Sequence, residues 1–449
     1  MEVVWFEHEG LGNSSYLVEV APGKSLVVDP DRRAHRYLEA AERREWEIVA
    51  TLDTHLHADF VTGALELRAQ TGAALQWPKD AEVAFPHRGV VAGERLQVGG
   101  VEVEVRATPG HTPEHVAYVI HAADGPPLLF SGGALIAGGA ARTDLIAPEL
   151  TEALTRALFR TLHEAFEDLP DETLLRPTHG AGSFCSAGQG RAATTLGAER
   201  AGNALLEVVD EDEFVGWWPS TFPAVPDYFW RLRDVNAAGP GLVRDVAPPP
   251  LLSPAAFAGA QVGGGLVVDV RPVEAYAAGH VPGALAIGFR DSFATWLGWL
   301  VAADATLLFV ADGVPLNLVL DEALLVGYER FGGVLDGGME AWAGEERPVR
   351  SLPTIGPEDA VPWLELGAQP IDVREPDEFA LGHVSGASPV PLGTLASMEH
   401  ELPVGRPLLT YCGSGQRSVT AASILERLGV GPVVDLRGGY GAWRHAGRD

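Results

Sequence analysis

The sequence predicts a multidomain α/β protein, and three observations carry that prediction. Its 449 residues exceed what one ordinary domain packs around a single core. Through residues 3–184, apolar runs of strand length alternate with segments of helical period. Beyond the stiff spacer Val246-Ala247-Pro248-Pro249-Pro250 the text repeats itself. Val267-Val268-Asp269-Val270-Arg271, followed by Gly279-His280-Val281-Pro282-Gly283-Ala284, is echoed by Ile371-Asp372-Val373-Arg374 and Gly382-His383-Val384-Ser385-Gly386-Ala387; residues 332–342 are echoed by 434–443. Two α/β units in tandem follow, each a parallel sheet flanked by helices. The expected domains are 1–246, 251–350 and 354–449.

In the first domain, residues 14–20 and 25–28 read as a hairpin around Pro22-Gly23, 36–44 as a helix and 48–52 as a buried strand. Thr54-His55-Leu56-His57-Ala58-Asp59-Phe60 comes next, just ahead of the helical run 61–70. Two histidines two apart, after a strand and beside an aspartate, form a metal-ligand nucleus; a hydrogen-bonded structural pair is the alternative. Residues 101–106 alternate with period two and end in Thr108-Pro109-Gly110-His111-Thr112-Pro113-Glu114-His115. Strand 127–130 leads to Ser131-Gly132-Gly133-Ala134-Leu135, and strand 173–176 to Pro177-Thr178-His179-Gly180. Histidines thus recur at strand C-terminal ends, where loops can converge on a metal. Cys185 reads as packing. The aromatics of 214–218 and 226–230 read as a wall to a substrate entrance or as an interface between domains.

The last domain holds Leu408-Leu409-Thr410-Tyr411-Cys412-Gly413-Ser414-Gly415-Gln416-Arg417-Ser418, a buried strand opening into a glycine-rich loop and a helix. A thiol at that turn faces backbone amides at a helix N-terminus with Arg417 close by, and both favour the thiolate. The amides of Gly413, Ser414, Gly415 and Gln416 form the cradle. In the preceding repeat the same place holds Phe309-Val310-Ala311-Asp312-Gly313-Val314, without cysteine, so that unit is expected to be inert. Asp372 with Arg374, and Asp269 with Arg271, read as structural pairs at strand ends.

The reactive stretch resembles the active-site loop of rhodaneses, Cys-x-x-Gly-x-Arg. The four-residue spacer between Cys412 and Arg417 suits a persulfide; the related phosphatases carry one residue more. The first domain resembles the metallo-β-lactamase fold, an αββα sandwich, and within it the persulfide dioxygenases, through residues 54–63 and Ala141-Arg142-Thr143-Asp144. That likeness implies iron(II) held by His55, His111 and a carboxylate at position 133, which here is Gly133; Phe60 replaces the motif's last histidine. His55, His57 and His111 then remain on one side, Asp59 and His179 on the other. Iron is expected to be weakly held or absent, zinc on imidazoles is the alternative, and an aspartate restored at 133 is expected to raise iron content.

Formal charge is −29, which repels nucleic acid and anionic membrane. No apolar run reaches bilayer-spanning length, and two well-separated cysteines fit a reducing, cytoplasmic setting. An anionic substrate then needs a local positive pocket, for which Arg142 and Arg417 are the candidates. The resemblances imply sulfide and persulfide metabolism. Sulfane sulfur from thiosulfate or a low-molecular-weight persulfide passes through a Cys412 persulfide, fused to an impaired dioxygenase-like domain. The alternatives are a non-enzymatic sulfur carrier or scaffold, and a metal-dependent hydrolase of thioesters or lactones. Partners are small-molecule thiols, persulfides, thiosulfate or sulfite, with a homodimer compatible.

Overall fold

The computed structural model describes residues 1–121, 125–180, 182–185, 194–401 and 405–447. The chain divides into two compact units, Met1–Val246 with Asp321–Gly327, and Ala247–Leu320 with Tyr328–Asp449. Among the described residues no helix is long and apolar enough to cross a membrane.

The first unit stacks two six-stranded sheets. One runs in chain order from Val3–His8 to Arg88–Val90; the other carries Thr194–Thr195, Leu174–Pro177, Leu128–Gly132, Val116–Ile120, Val101–Ala107 and Arg95–Val98 side by side. Period-two alternation sends successive residues to opposite faces. Val18 and Leu26 meet Val105, Tyr118 and Phe130 between the sheets. Leu17 and Val27 face outward against Tyr37 and Leu67 of the helices Ala34–Glu42 and Ala64–Thr71. On the other outer face, Val119 and Leu129 pack on Leu158 and Leu162 of the helix Thr151–Glu164. This is the αββα sandwich. Phe214 and Trp218 are buried in that same outer cluster, so these aromatics are core of the first unit, neither an entrance wall nor a domain interface. The helix expected from residue 61 starts at Ala64, because the Thr62 hydroxyl accepts from the Ala64 amide and the Gly63 amide donates away to Pro30 O at 2.7 Å.

The second unit holds two parallel five-stranded sheets of identical order. The first is Leu251–Leu252, Phe331–Leu335, Leu307–Val310, Leu266–Asp269, Leu285–Ala286; the second is Thr354–Ile355, Val433–Leu436, Leu408–Tyr411, Gln369–Asp372, Ser388–Pro389. Their registers agree, with Asp269 beside Val310 in one and Asp372 beside Tyr411 in the other. Ala311 therefore occupies the place of Cys412.

Candidate active sites

In the first unit the strand ends converge on a buried hub, Asp29. Its carboxylate accepts from the Thr54 amide at 2.7 Å, the Thr54 hydroxyl at 2.9 Å and the Thr178 hydroxyl, and contacts His57 Nε2 at 3.2 Å. Burial opposes its charge, but His57 and these hydrogen bonds hold the carboxyl below its ordinary range. The same contact raises His57 in spite of burial.

Around the hub the donor atoms of His55, His111 and His179 lie within 4.8 Å of one another, as do those of His57, Asp59 and His179, and of Asp29, Asp53 and His57. Hydrogen bonds assign the tautomers. His111 Nδ1 donates to the Arg142 carbonyl at 2.7 Å, and His55 Nδ1 donates at 2.9 Å to the Thr54 hydroxyl, whose own proton goes to Asp29. Each is left with a lone pair on Nε2. His179 Nδ1 lies 3.3 Å from Asp59, and its Nε2 faces His55 Nε2 at 3.4 Å. Burial, reinforced by the neighbouring imidazoles, keeps His55 neutral and pushes His111 down to about 3. Neutral imidazoles with lone pairs meeting at the edge of a tetrahedron, about 3.3–3.4 Å for zinc–nitrogen bonds of about 2.0–2.1 Å, are a metal-binding arrangement. Asn13 Oδ1, Asp53 Oδ2, His57 Nδ1 and Asp59 Oδ1 are buried there without hydrogen-bond partners. A cation accounts for such orphaned acceptors, which otherwise destabilise the fold. The histidines and aspartates therefore fit a metal ion.

The expected grouping changes in three respects. His179 joins His55 and His111, while His57 turns to Asp29 and stacks on Phe60 at 4.4 Å. A two-histidine, one-carboxylate set exists, but through Asp59 rather than position 133, so the loss at Gly133 does not strip the pocket of donors. Arg142 is no free cation: 3% exposed, it donates to both Asp144 oxygens at 2.6 and 2.8 Å and to the Pro223 carbonyl at 2.8 Å. Cys185 is buried, which raises its thiol, and it stays a packing residue.

Position 133 is also closed to repair. The Gly133 amide donates to His115 Nε2 at 2.9 Å, and a Cβ added there would lie 2.8 Å from the Ala141 Cβ and 2.9 Å from His111 Cδ2. Gly133→Asp is therefore expected to cost about 1–3 kcal/mol of stability by overpacking and to bring no gain in bound iron. Elemental analysis beside thermal unfolding checks this, and a clear rise in iron would restore the opposite expectation.

Sequence reasoning missed Asp29, Asp53 and Asn13, which stand in no recognisable spacing, and gave no role to His115, four residues beyond His111. It also missed the role of Asn236, whose amide donates to the carbonyls of His57 and Phe60 at 2.9 and 2.8 Å from the helix Tyr228–Ala238. The histidine loop is thus clamped by a residue 176 positions from Phe60.

In the second unit Cys412 closes the strand Leu408–Tyr411 ahead of the helix Gln416–Leu428. Its Sγ accepts from the Gly415 amide at 3.1 Å, and the side chain is covered, 1% exposed. Gly415 turns the chain at φ +96°. From the following helix the amides of Tyr440 and Gly441 donate to Cys412 O and Gly413 O at 2.7 and 3.0 Å, holding the loop. Ser414, Gly415 and Gln416 also border a cavity of about 340 Å³, into which Asp435, pushed by burial to about 7, contributes.

Arg417 is not the unengaged cation expected. Both its terminal nitrogens donate to Glu378 at 2.7 Å, which makes it a brace between the loop and the segment before it. The Asp372–Arg374 pair, with contacts of 2.9 and 2.6 Å, has its counterpart in Asp269–Arg271 at the same distances in the repeat without cysteine. A pair kept where no thiol exists supports a strand end, as expected.

Two family models match the chain. The metallo-beta-lactamase superfamily covers residues 8–179, and the rhodanese-like domain covers 254–345 and 358–446. Curated relatives include a hydroxyacylglutathione hydrolase of Methylobacillus flagellatus, 40% identical over 122 residues, which are 27% of this chain and 46% of that one. Another, from Polaromonas sp., is 34% identical over 171 residues, 37% of this chain and 62% of that one. The chain thus spans about half to three fifths of the length of these relatives. Among solved structures, a metallo-beta-lactamase from Staphylococcus aureus subsp. aureus COL superposes with a TM-score of 0.66 at 26% identity, over 75% of this chain and 98% of that one. The protein is therefore a metallo-β-lactamase-fold domain followed by two rhodanese-like domains, and the second of these carries the cysteine.

Proposed function

We propose that the chain is a sulfurtransferase of sulfide and persulfide metabolism, working through a persulfide on Cys412. The observation that carries this reading is the Gly415 amide donating to Cys412 Sγ at 3.1 Å, at the N-terminus of a 13-residue helix. That setting aims backbone N–H dipoles at the sulfur and suits the anion of a persulfide held there. The thiolate attacks the sulfane sulfur of thiosulfate, the S–S bond of the donor breaks, and sulfite leaves with its electron pair. A thiophilic acceptor then takes the outer sulfur and returns the thiolate. Because the side chain is covered, a donor must present its terminal sulfur end-on, which favours slender donors. The test is thiocyanate formation from thiosulfate and cyanide by the full chain; a wild-type rate equal to that of Cys412→Ser would leave a sulfur carrier or scaffold as the better account.

For the first domain, the donor set supports a metal-dependent reaction on a thiol-derived small molecule. A bound metal would supply Lewis acidity, or oxygen chemistry if it is iron. His55, His111 and His179, or His57, Asp59 and His179, would hold it; the Arg142 carbonyl and Thr54 keep His111 and His55 in the ligating tautomer. Persulfide oxidation is impaired in this reading, since the pocket offers its carboxylate through Asp59 and not from position 133, where the resemblance to persulfide dioxygenases requires it. A second reading, hydrolysis of a thioester or lactone, is favoured by the all-imidazole set and by relatives named hydroxyacylglutathione hydrolase. Oxygen uptake with glutathione persulfide on the iron-loaded chain, against thioester cleavage on the zinc-loaded chain, separates the two. Oxygen uptake without thioester cleavage favours oxidation, and the reverse favours hydrolysis.

A further inference from the structure

One imidazole, His179, belongs to both candidate donor sets of the first domain, and when neutral it has two faces but a single proton. Its Nε2 meets His55 Nε2 at 3.4 Å, and its Nδ1 meets Asp59 Oδ2 at 3.3 Å. His55 brings no proton to the first of these contacts. It is wholly buried with both ring nitrogens against neutral groups, so it stays uncharged. The Thr54 hydroxyl gives its own proton to Asp29 at 2.9 Å and must accept from His55 Nδ1. The two facing Nε2 atoms therefore share either the His179 proton or a cation, and Nδ1 takes the other. With the proton on Nε2, a lone pair faces the Asp59 carboxylate, a repulsion that a cation between them relieves.

The atoms around Nδ1 decide between the two. The His55 contact is within hydrogen-bond geometry, whereas the Asp59 contact is not. His179 Nδ1, Asp59 Oδ1 and His57 Nδ1 are all buried without a hydrogen-bond partner, and the donor atoms of these residues lie within 4.8 Å of one another. A proton on Nδ1 would leave the other two unsatisfied; a cation satisfies all of them. Asn13, 6% exposed, completes the arrangement. Its segment is tied to that of His179 by the Ser14 amide on Thr178 O at 2.7 Å and the Gly180 amide on Gly12 O at 2.8 Å. Asn13 Nδ2 donates to Asp59 Oδ2 at 3.1 Å, which fixes the carboxylate by one oxygen and leaves Oδ1 for a ligand's role.

We propose that the first domain holds a single divalent ion on the Asp59 side of His179, and that Asn13 is the positioning residue that presents the Asp59 carboxylate to it. His55 takes the His179 proton, and His111 lies outside the ligand set. A second ion would require His179 to give up both protons. This rests on the metal-dependent reading of the domain, and the experiment is chosen to separate the two. Co²⁺ is titrated calorimetrically into the chelator-treated full chain, where one stoichiometric site is expected. Asn13→Ala is expected to weaken that site about 10–100-fold, the cost of losing an outer-shell partner, and to change the visible absorption of the bound Co²⁺. His111→Ala is expected to leave the affinity near wild type. Thermal unfolding of each metal-free variant separates loss of the fold from loss of the ion, and the wild-type stoichiometry needs no variant. Two stoichiometric sites, an affinity that survives Asn13→Ala, or one that collapses in His111→Ala overturns the proposal and leaves the metal-dependent reading standing. No site at all overturns both.

Discussion

Thiocyanate formation from thiosulfate and cyanide is expected to fall at least about a thousandfold in Cys412→Ser, the scale seen when a catalytic nucleophile is removed. A serine hydroxyl is not ionised at neutral pH and cannot carry a sulfane sulfur in a form an acceptor can take. The fold should not notice the change. A serine Oγ can accept the Gly415 amide as the sulfur does, and the loop is held by backbone bonds from Tyr440 and Gly441. Thermal unfolding and circular dichroism should therefore match the wild type while turnover disappears. Activity retained in the serine variant would place the chemistry elsewhere.

The largest expected loss of stability lies in the other unit, at Asp29→Ala. Removing one partner of a buried charged pair costs about 3–5 kcal/mol, and here the pair is Asp29 with His57. The Thr54 amide and the hydroxyls of Thr54 and Thr178 would also lose their acceptor in a site closed to water. Asp29→Asn keeps the volume and one acceptor oxygen and is expected to lose less. Since the folded carboxyl lies below its ordinary value, its contribution is complete above the unfolded aspartate pKa of about 3.9 and is lost as pH falls through the lower folded value. Acid unfolding of the wild type and of the alanine variant should converge at low pH. An alanine variant as stable as wild type at neutral pH would show that Asp29 is not the hub its contacts describe.

Much of this is legible in the sequence alone. The strands of the first domain, the tandem repeat and the cysteine loop are all local signals, written in periodicity or in a dozen consecutive residues. At Ala64 a hydrogen bond rather than a propensity decides the boundary: the Thr62 hydroxyl takes the Ala64 amide, and Gly63 becomes the N-cap of a helix that the apolar pattern would begin earlier. Phe214 and Trp218 go to the core of the first unit rather than to an entrance or an interface, because hydrophobicity says that a ring is buried and not against what.

What the sequence by itself determined is which atoms are available: one thiol at a strand-to-helix turn, a set of histidines at strand ends, and the absence of a carboxylate at 133. Tertiary structure decided how they are shared. Glu378 takes Arg417 from 39 residues away, Asp29 takes His57 from 28, and His179 crosses to His55 over 124. A hydrogen bond or ion pair depends on separations of a few ångströms, and distance along the chain carries almost no information about those once the strands have been brought side by side.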